Sequence, residues 1–115
     1  MMRIVSVVGA RPQFIKVAPI ANAMPQGIDH LILHTGQHYD EEMSQTIFDE
    51  LKIPRPVDNL KVGSGSHATQ MSALLVSLEN SFLKLAPDWI LAYGDTNTTI
   101  AAALTAAKMN IRLVT

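Results

Sequence analysis

Short apolar runs alternate with amphipathic stretches from one end of this chain to the other. Short runs that are apolar at nearly every position are typical of strands buried on both faces of a parallel sheet. They predict five strands, of which the third is the weakest. The five runs are Ile4–Val8, Leu31–Leu33, Val57–Val62, Trp89–Tyr93 and Ile111–Val114.

The stretches between these runs carry helical periodicity. From Met71 to Leu85, apolar residues recur at spacings of three, four and seven and form one stripe. The stretch Thr98–Lys108 is rich in alanine, which permits close packing on a sheet. Pro19 lies inside the first helical segment, where we expect it to kink the helix or end it early. A further, shorter helix is predicted, with an apolar face made of Met43, Ile47, Phe48 and Leu51.

This alternation predicts an α/β fold, a Rossmann-like doubly wound parallel sheet with helices on both faces and strand order 3-2-1-4-5. The last apolar run, Ile111–Val114, reaches the end of the chain with no helix after it. We therefore expect residues 1–115 to be the N-terminal portion of a larger Rossmann-like domain. An uncovered sheet edge favours a homo-oligomer or a complementary chain.

Composition and charge narrow the range of functions. The 115 residues are one domain at most. Their net charge of −1 provides no overall positive potential that would attract nucleic acid or an anionic membrane. The absence of cysteine excludes disulfides and thiolate metal sites. The N-terminus lacks the pattern of a secretory signal, and no apolar run reaches the ~18–20 residues of a membrane span. We therefore expect a cytoplasmic protein.

The segment Gly9–Lys16 carries the strongest chemical signal. It follows the first predicted strand, and Pro12 suits the first position of a helix. Arg11 and Lys16 should then lie beside a helix N-terminus, where free N–H groups and the macrodipole favour an anion. Two cations at such a point suggest a phosphate or diphosphate ligand, whereas either one alone would be taken as an ordinary solvated charge.

A second polar segment, Gly94-Asp95-Thr96, follows the fourth predicted strand. Ligands of open α/β sheets bind outside the carboxyl ends of the strands. Strands 1 and 4 should be neighbours, so Arg11, Lys16 and Asp95 are expected to converge on one crevice. By position alone, Asp95 is at least as well explained as a cap or dipole partner of the alanine-rich helix.

Two other polar segments favour structural interpretations. Gly63–Ser66 lacks the Lys-Ser/Thr that follows a P-loop, and it predicts a turn that ends in a serine N-cap. His34 and His38 have a spacing used by metal ligands on helices, but Gly36 and the end of the strand break that geometry. We therefore predict no metal site there and expect Asp40 to cap the following helix.

Taken together, four motifs resemble those of the non-hydrolysing UDP-N-acetylglucosamine 2-epimerases. They are Gly9–Lys16, His34–Asp40, Gly63–His67 and Tyr93–Thr98. Their order and spacing over nearly the whole chain are far more specific than any one motif. The resemblance implies a GT-B-like architecture, in which two Rossmann-like domains enclose the active site. Members of this family are several-fold longer, so residues 1–115 would correspond to the first part of the first domain, with the second domain absent.

The resemblance also implies a reaction. These isomerases interconvert UDP-GlcNAc and UDP-ManNAc, precursors of cell-surface polysaccharides, by eliminating UDP with loss of the C2 proton and re-adding it with C2 inverted. They need no redox cofactor or obligatory metal. Carried over residue by residue, Asp95 is a catalytic and sugar-proximal group, while Arg11 and Lys16 bind the substrate diphosphate. The family's other acid/base residues lie beyond Thr115, so we expect the chain alone to be inactive.

An effector site is implied only in part. In some family members, two glutamines in the region after the second strand contribute to an allosteric nucleotide-sugar site. Here Gln37 matches one of them and Asp40 takes the place of the other. The resemblance thus implies Gln37 as an effector-site residue, while Asp40 argues against the regulation itself.

Three alternatives belong to other classes. An NAD-binding Rossmann module is disfavoured, because strand 1 has no G-x-G-x-x-G after it and strand 2 ends without a ribose-binding acid. A nucleotide-sugar-binding domain of a GT-B-like glycosyltransferase shares the architecture, but the run Arg11–Lys16 argues against it. A non-catalytic split-gene remnant that folds and binds a partner is compatible with the sequence.

Overall fold

Strands and helices alternate along the described part of the chain, which comprises residues 1–36, 46, 48–94 and 96–115 of a computed structural model. The strands are β1 (Met2–Val8), β2 (Ile28–His34), β3 (Asp58–Asn59), β4 (Trp89–Ala92) and β5 (Arg112–Val114). The helices are α1 (Arg11–Ala23), α2 (His67–Leu85) and α3 (Asn97–Lys108). The strands form one sheet in the order β3-β2-β1-β4-β5, with every neighbouring pair parallel. The predicted fold class and strand order are confirmed.

Both faces of the sheet are covered by helices. Because side chains alternate along a strand, β1 gives Val5 and Val7 to one apolar cluster and Val8 to the other. The predicted stripe of α2 lies in the first cluster, where Leu74, Leu78 and Phe82 are buried beside the alanines of α3. The second cluster contains Phe14 and Val17 of α1 together with Phe48.

The shorter predicted helix is described only near its end. Residues 48–51 are helical, with Phe48 buried in the second cluster and Leu51 packed against it. This agrees with the predicted apolar face at these two positions. Met43 and Ile47, the other two members of that face, lie outside the described residues.

Of the two outcomes expected for Pro19, a kink or an early end of the helix, the early end is wrong, because α1 continues through Pro19 to Ala23. Pro19 and Ile15 both lie on the exposed side of α1. The Ile15 carbonyl, which a proline at position 19 deprives of its usual N–H donor, can there be solvated by water. No helix within the described ranges is long and apolar enough to cross a membrane.

Helices α1, α2 and α3 begin where the carboxyl ends of the strands lie, here called the carboxyl edge of the sheet, because α1 follows β1, α2 follows β3 and α3 follows β4. The chain returns to this edge after β2 through Gly36, whose φ is +74°. A Cβ atom at position 36 would lie 2.8 Å from both Asn59 Oδ1 and Lys61 Cα. The close approach of the two segments therefore requires glycine at position 36.

Candidate functional site

The sheet brings the segments after β1 and β4 side by side. These strands are parallel neighbours, with Val7 paired to Ala92, so Gly9 and Gly94 leave the same edge of the sheet. The predicted adjacency of the two segments is therefore confirmed. Arg11 is the first residue of α1 and is exposed to solvent at this edge.

Lys16 lies beside the turn that follows β4. A Cβ atom on Gly94 would lie 3.9 Å from Lys16 Nζ and 3.8 Å from Gln13 Nε2. Gly94 has a φ of +78°, a conformation that glycine adopts without a steric penalty. The side of α1 that carries Lys16 thus faces the turn leading into α3, and the lysine is exposed there.

A buried glutamine on α1, Gln13, connects the two turns. Its side chain is only 2% exposed. Its oxygen accepts hydrogen bonds from two backbone N–H groups after β1, and its nitrogen lies within hydrogen-bond distance of three oxygens after β4. The partners are Gly9 N (2.7 Å), Ala10 N (3.1 Å), Tyr93 O (2.7 Å), Thr96 Oγ1 (2.8 Å) and Thr99 Oγ1 (3.2 Å).

The segment before α2 is a turn that ends in a serine cap, as predicted. Ser66 Oγ accepts a hydrogen bond from the Thr69 backbone N–H at 3.2 Å, which satisfies one of the free donors at the start of the helix. The neighbouring backbone is held as well, since Gln70 Nε2 donates to Gly63 O at 2.7 Å.

Asn97 links this segment to the start of α3. Its Nδ2 donates to Gln70 Oε1 at 2.8 Å and lies 3.1 Å from Nδ1 of His67. An amide nitrogen can only donate, so Gln70 Oε1 and His67 Nδ1 are the acceptors of these two hydrogen bonds. The starts of α2 and α3 are therefore fastened to each other at the carboxyl edge.

The end of β2 joins the same edge through buried groups. Thr35 Oγ1 lies 2.9 Å from Thr98 Oγ1 of α3. The preceding residue, His34, accepts a hydrogen bond from the Gly36 N–H at Nδ1 (3.0 Å) and packs edge-on against Phe14. Burial lowers the pKa of His34, and a hydrogen bond with the Val8 backbone partly offsets that effect. His34 is therefore a neutral core residue.

A second polar cluster crosses the sheet on the face covered by α1. Ser6 Oγ lies 2.7 Å from His30 Nε2 and 2.9 Å from the Tyr93 hydroxyl, so one hydroxyl bridges side chains from β2 and from the end of β4. Burial lowers the pKa of His30. It also raises the pKa of Tyr93, against a smaller opposing effect of the Ser6 hydrogen bond.

Several predicted site residues lie outside the described residues. They are the catalytic candidate Asp95, the effector candidate Gln37, and His38 and Asp40 of the same motif. The residues on both sides of Asp95 are described, since Gly94 faces Lys16 and Thr96 accepts a hydrogen bond from Gln13. Within the described ranges, no three His, Asp or Glu side chains lie close enough together to hold a metal ion.

Comparison with known proteins identifies the family. Residues 21–114 match the family model described as UDP-N-acetylglucosamine 2-epimerase. The chain belongs to this family. The match covers most of the sequence and includes three of the four motifs, while the first, Gly9–Lys16, lies before it.

Curated relatives in the epimerase family are much longer than this chain. It is 53% identical to a UDP-N-acetylglucosamine 2-epimerase homolog from Methanococcus maripaludis, over 97% of this chain and 31% of the relative. It is 43% identical to the UDP-N-acetylglucosamine 2-epimerase of Methanocaldococcus jannaschii, and 41% to a UDP-2,3-diacetamido-2,3-dideoxy-D-glucuronate 2-epimerase of Pseudomonas aeruginosa. The chain thus spans about a third of the length of these relatives.

Solved epimerase structures share the fold described above. The M. jannaschii UDP-GlcNAc 2-epimerase in complex with UDP-GlcNAc and UDP superimposes with a TM-score of 0.94 at 42% identity, over 98% of this chain and 32% of that one. The Neisseria meningitidis enzyme bound to UDP-GlcNAc gives a TM-score of 0.89 at 28% identity. The chain therefore has the fold of the N-terminal part of UDP-GlcNAc 2-epimerases.

Sequence reasoning missed the polar residues that fasten this epimerase-like edge together, above all Gln13. A signal for Gln13 was present, because a glutamine at the third helical position is one half of a capping box. The position before the helix is Ala10, which has no side-chain acceptor to complete the box. The contacts of Gln13 with the β4 turn depend on tertiary structure and have no local signal.

Proposed function

We propose that residues 1–115 are the N-terminal portion of the first Rossmann-like domain of a UDP-sugar 2-epimerase, and that their carboxyl edge forms the diphosphate-binding side of its cleft. A second domain, in the same polypeptide or on a complementary chain, would form the other side. High identity to epimerases over almost all of this chain, but only about a third of theirs, supports the assignment.

The observation that carries the proposal is the approach of Lys16 to the turn at Gly94. It sets one cation of α1 beside the segment that contains Asp95, while Arg11 begins the same helix. The N-terminus of α1 adds unpaired N–H groups and the positive end of the helix macrodipole. A diphosphate bound there would meet both cations, with its sugar directed toward the 94–96 segment.

The chemistry assigned to these residues follows from where charge develops. Elimination breaks the C1–O bond and removes the C2 proton, which leaves a C1–C2 double bond and a departing UDP anion. Arg11 and Lys16 stabilise the negative charge on the departing diphosphate. Asp95 serves as an acid/base or charge-stabilising group beside the sugar. Re-addition of UDP, with a proton delivered to the opposite face of C2, gives the inverted product.

The nucleotide is the part of the substrate that this portion of the enzyme is proposed to hold. Relatives of similar identity act on UDP-N-acetylglucosamine and on UDP-2,3-diacetamido-2,3-dideoxy-D-glucuronate, according to their names. These substrates share UDP and differ in the sugar. We assign UDP-GlcNAc as the substrate of the complete enzyme, and we expect this chain alone to bind UDP weakly and not to catalyse epimerisation.

Calorimetric titration of the chain with UDP, beside uridine as a ligand without phosphate, tests the assignment. UDP should bind, uridine should bind far more weakly, and Arg11→Ala or Lys16→Ala should each weaken UDP about tenfold. Lys84→Ala is the matched control, because this exposed lysine lies in the last turn of α2. The end of α2 is at the opposite sheet edge, where Arg3 Nη1 donates to Leu85 O. Equal UDP affinity in all three variants would refute the phosphate assignment.

A further inference from the structure

Gln13 is placed where the two halves of the proposed site meet. Its amide makes hydrogen bonds on both sides, to the β1–α1 turn through Oε1 and to the β4–α3 turn through Nε2. Lys16 is three residues further along α1 and faces the same β4 turn. Any movement of α1 relative to that turn would therefore break the amide contacts and displace the lysine together.

The groups around Gln13 determine where the oxygen and the nitrogen of its amide lie. Gly9 and Ala10 present N–H groups, which can only donate, so the atom facing them must be an acceptor. The Tyr93 carbonyl can only accept, so the atom 2.7 Å from it must be a donor. A side chain with an acceptor on one branch and a donor on the other satisfies both turns, and an uncharged glutamine provides this pair.

We propose that Gln13 is a positioning residue, which holds the β4–α3 turn against the start of α1 and so sets the spacing between Lys16 and the 94–96 segment. The functional consequence rests on the proposed diphosphate site. If the two turns separate, Arg11 and Lys16 remain, but Lys16 no longer keeps its place beside Gly94. Loss of the amide should thus weaken UDP binding here and, in an enzyme with both domains, lower kcat more than it raises KM.

The first test needs no ligand. Amide hydrogen exchange and chemical shifts of the chain are measured by NMR for Gln13→Met, which keeps the length of the side chain and removes its hydrogen bonds. The Gly9 and Ala10 amides should exchange about tenfold faster or more, and the Gly94 and Thr96 signals should shift. Val17→Ala is the control, since it weakens the packing of the same helix from a fully buried position. It should leave these four signals in place.

A second variant separates the two ends of the amide. Gln13→Glu keeps an acceptor toward Gly9 and Ala10 but offers the Tyr93 carbonyl a donor only when its carboxyl is protonated. The Gly94 signal of this variant should therefore titrate with pH and approach the wild-type position in acid, a response that wild type lacks. If Gln13→Met does not fold, this titration decides the question.

UDP affinity supplies the functional measurement. Gln13→Met should weaken UDP about tenfold although Arg11 and Lys16 are intact, while Val17→Ala should stay within about twofold. Wild-type chain that binds no UDP would contradict the proposed diphosphate site, and the ligand-free signals would still decide the role of Gln13. That role is refuted if Gly94 and Thr96 are unmoved in Gln13→Met, or if Val17→Ala moves them equally.

Discussion

Ser6 and Tyr93 join adjacent segments of the sheet through their hydroxyl oxygens, which lie 2.9 Å apart on the face covered by α1. The same Ser6 hydroxyl meets His30 Nε2. Replacing Ser6 by alanine would leave the buried Tyr93 hydroxyl and the half-buried His30 ring without this bond, so the free energy of unfolding should fall by about 1–3 kcal/mol. Urea denaturation measures the change. Ser72→Ala, which removes an exposed hydroxyl bonded within α2, should cost less than about 0.5 kcal/mol.

The buried His34 and the half-buried His30 should make stability depend on pH. Burial lowers the pKa of His30 and of His34, so the unfolded chain takes up protons at a higher pH than the folded chain does. Their contribution is complete above the ordinary histidine pKa of about 6.5 and is lost as pH falls below it. Thermal melts between pH 7 and pH 5 should therefore show declining stability.

A histidine variant and a control that cannot titrate test this origin. His30→Gln keeps a polar group near Ser6 but cannot titrate, so it should flatten the decline between pH 7 and pH 5. Ser72→Ala changes an exposed residue with no group that titrates in this range, and it should leave the slope as it is in wild type. An unchanged slope in His30→Gln would show that His30 does not contribute to the acid sensitivity.

Gly36 and Gly63 allow steric crowding to be separated from backbone strain. Their φ angles are +74° and +72°, but a Cβ atom on Gly36 would meet neighbours at 2.8 Å, whereas one on Gly63 would meet nothing within 4 Å. Gly63→Ala should cost about 1–2 kcal/mol, the strain of a left-handed conformation. Gly36→Ala should cost clearly more, as judged by urea denaturation. Equal costs would mean that Asn59 and Lys61 move aside freely.

Asp95 should affect turnover more than binding in an enzyme that contains both domains. The resemblance assigns this carboxylate to the sugar, so Asp95→Asn should lower kcat by about 10²-fold or more and leave KM within a few-fold. Steady-state kinetics with UDP-N-acetylglucosamine measure both. Undiminished turnover would show that Asp95 is not a catalytic residue and would leave it only the role of a negative charge just before the start of α3 in sequence.

Exposed apolar side chains on α3 and β5 should cause self-association. Ile100 is 52% exposed, Leu104 43% and Val114 48%. Sedimentation velocity over a range of concentrations should show dimers or larger species, and Leu104→Glu should shift them toward monomer. A monomer at every concentration would contradict this expectation and the proposed need for a covering partner.

The pattern of apolar positions was enough to predict the sheet, because strands buried on both faces are apolar at nearly every position. The order β3-β2-β1-β4-β5 followed from the handedness of crossover connections. The assigned strand β3 is shorter than predicted and comprises only Asp58 and Asn59, because the positive φ of Lys61 (54°) interrupts the extended backbone. Backbone hydrogen bonds from Val57 N to Ile32 O and from Val62 N to Thr35 O still join the predicted run to β2 and the residue after it. The effect of Pro19 could not be predicted from the pattern either. The stability lost by placing a proline inside α1 depends on whether water can reach the Ile15 carbonyl.

The candidate site was predictable only for residues whose place follows from the local sequence. Arg11 and Lys16 were placed correctly at the start of α1 because a strand, a turn and a proline define that helix terminus. The long-range contacts of Gln13 and Asn97 could not be recognised, since a polar residue on a helix normally faces water. Their roles arise from the meeting of segments some 80 and 30 residues apart in sequence.

Because helices α1, α2 and α3 all start at one edge of the sheet, their macrodipoles have their positive ends there. Each helix N-terminus presents about half a positive charge. These termini add an attraction for an anion at that edge, even though the chain as a whole carries a net charge of −1. A diphosphate could therefore be turned phosphate-first during its approach, before any side chain touches it, and this steering should fade as salt is added.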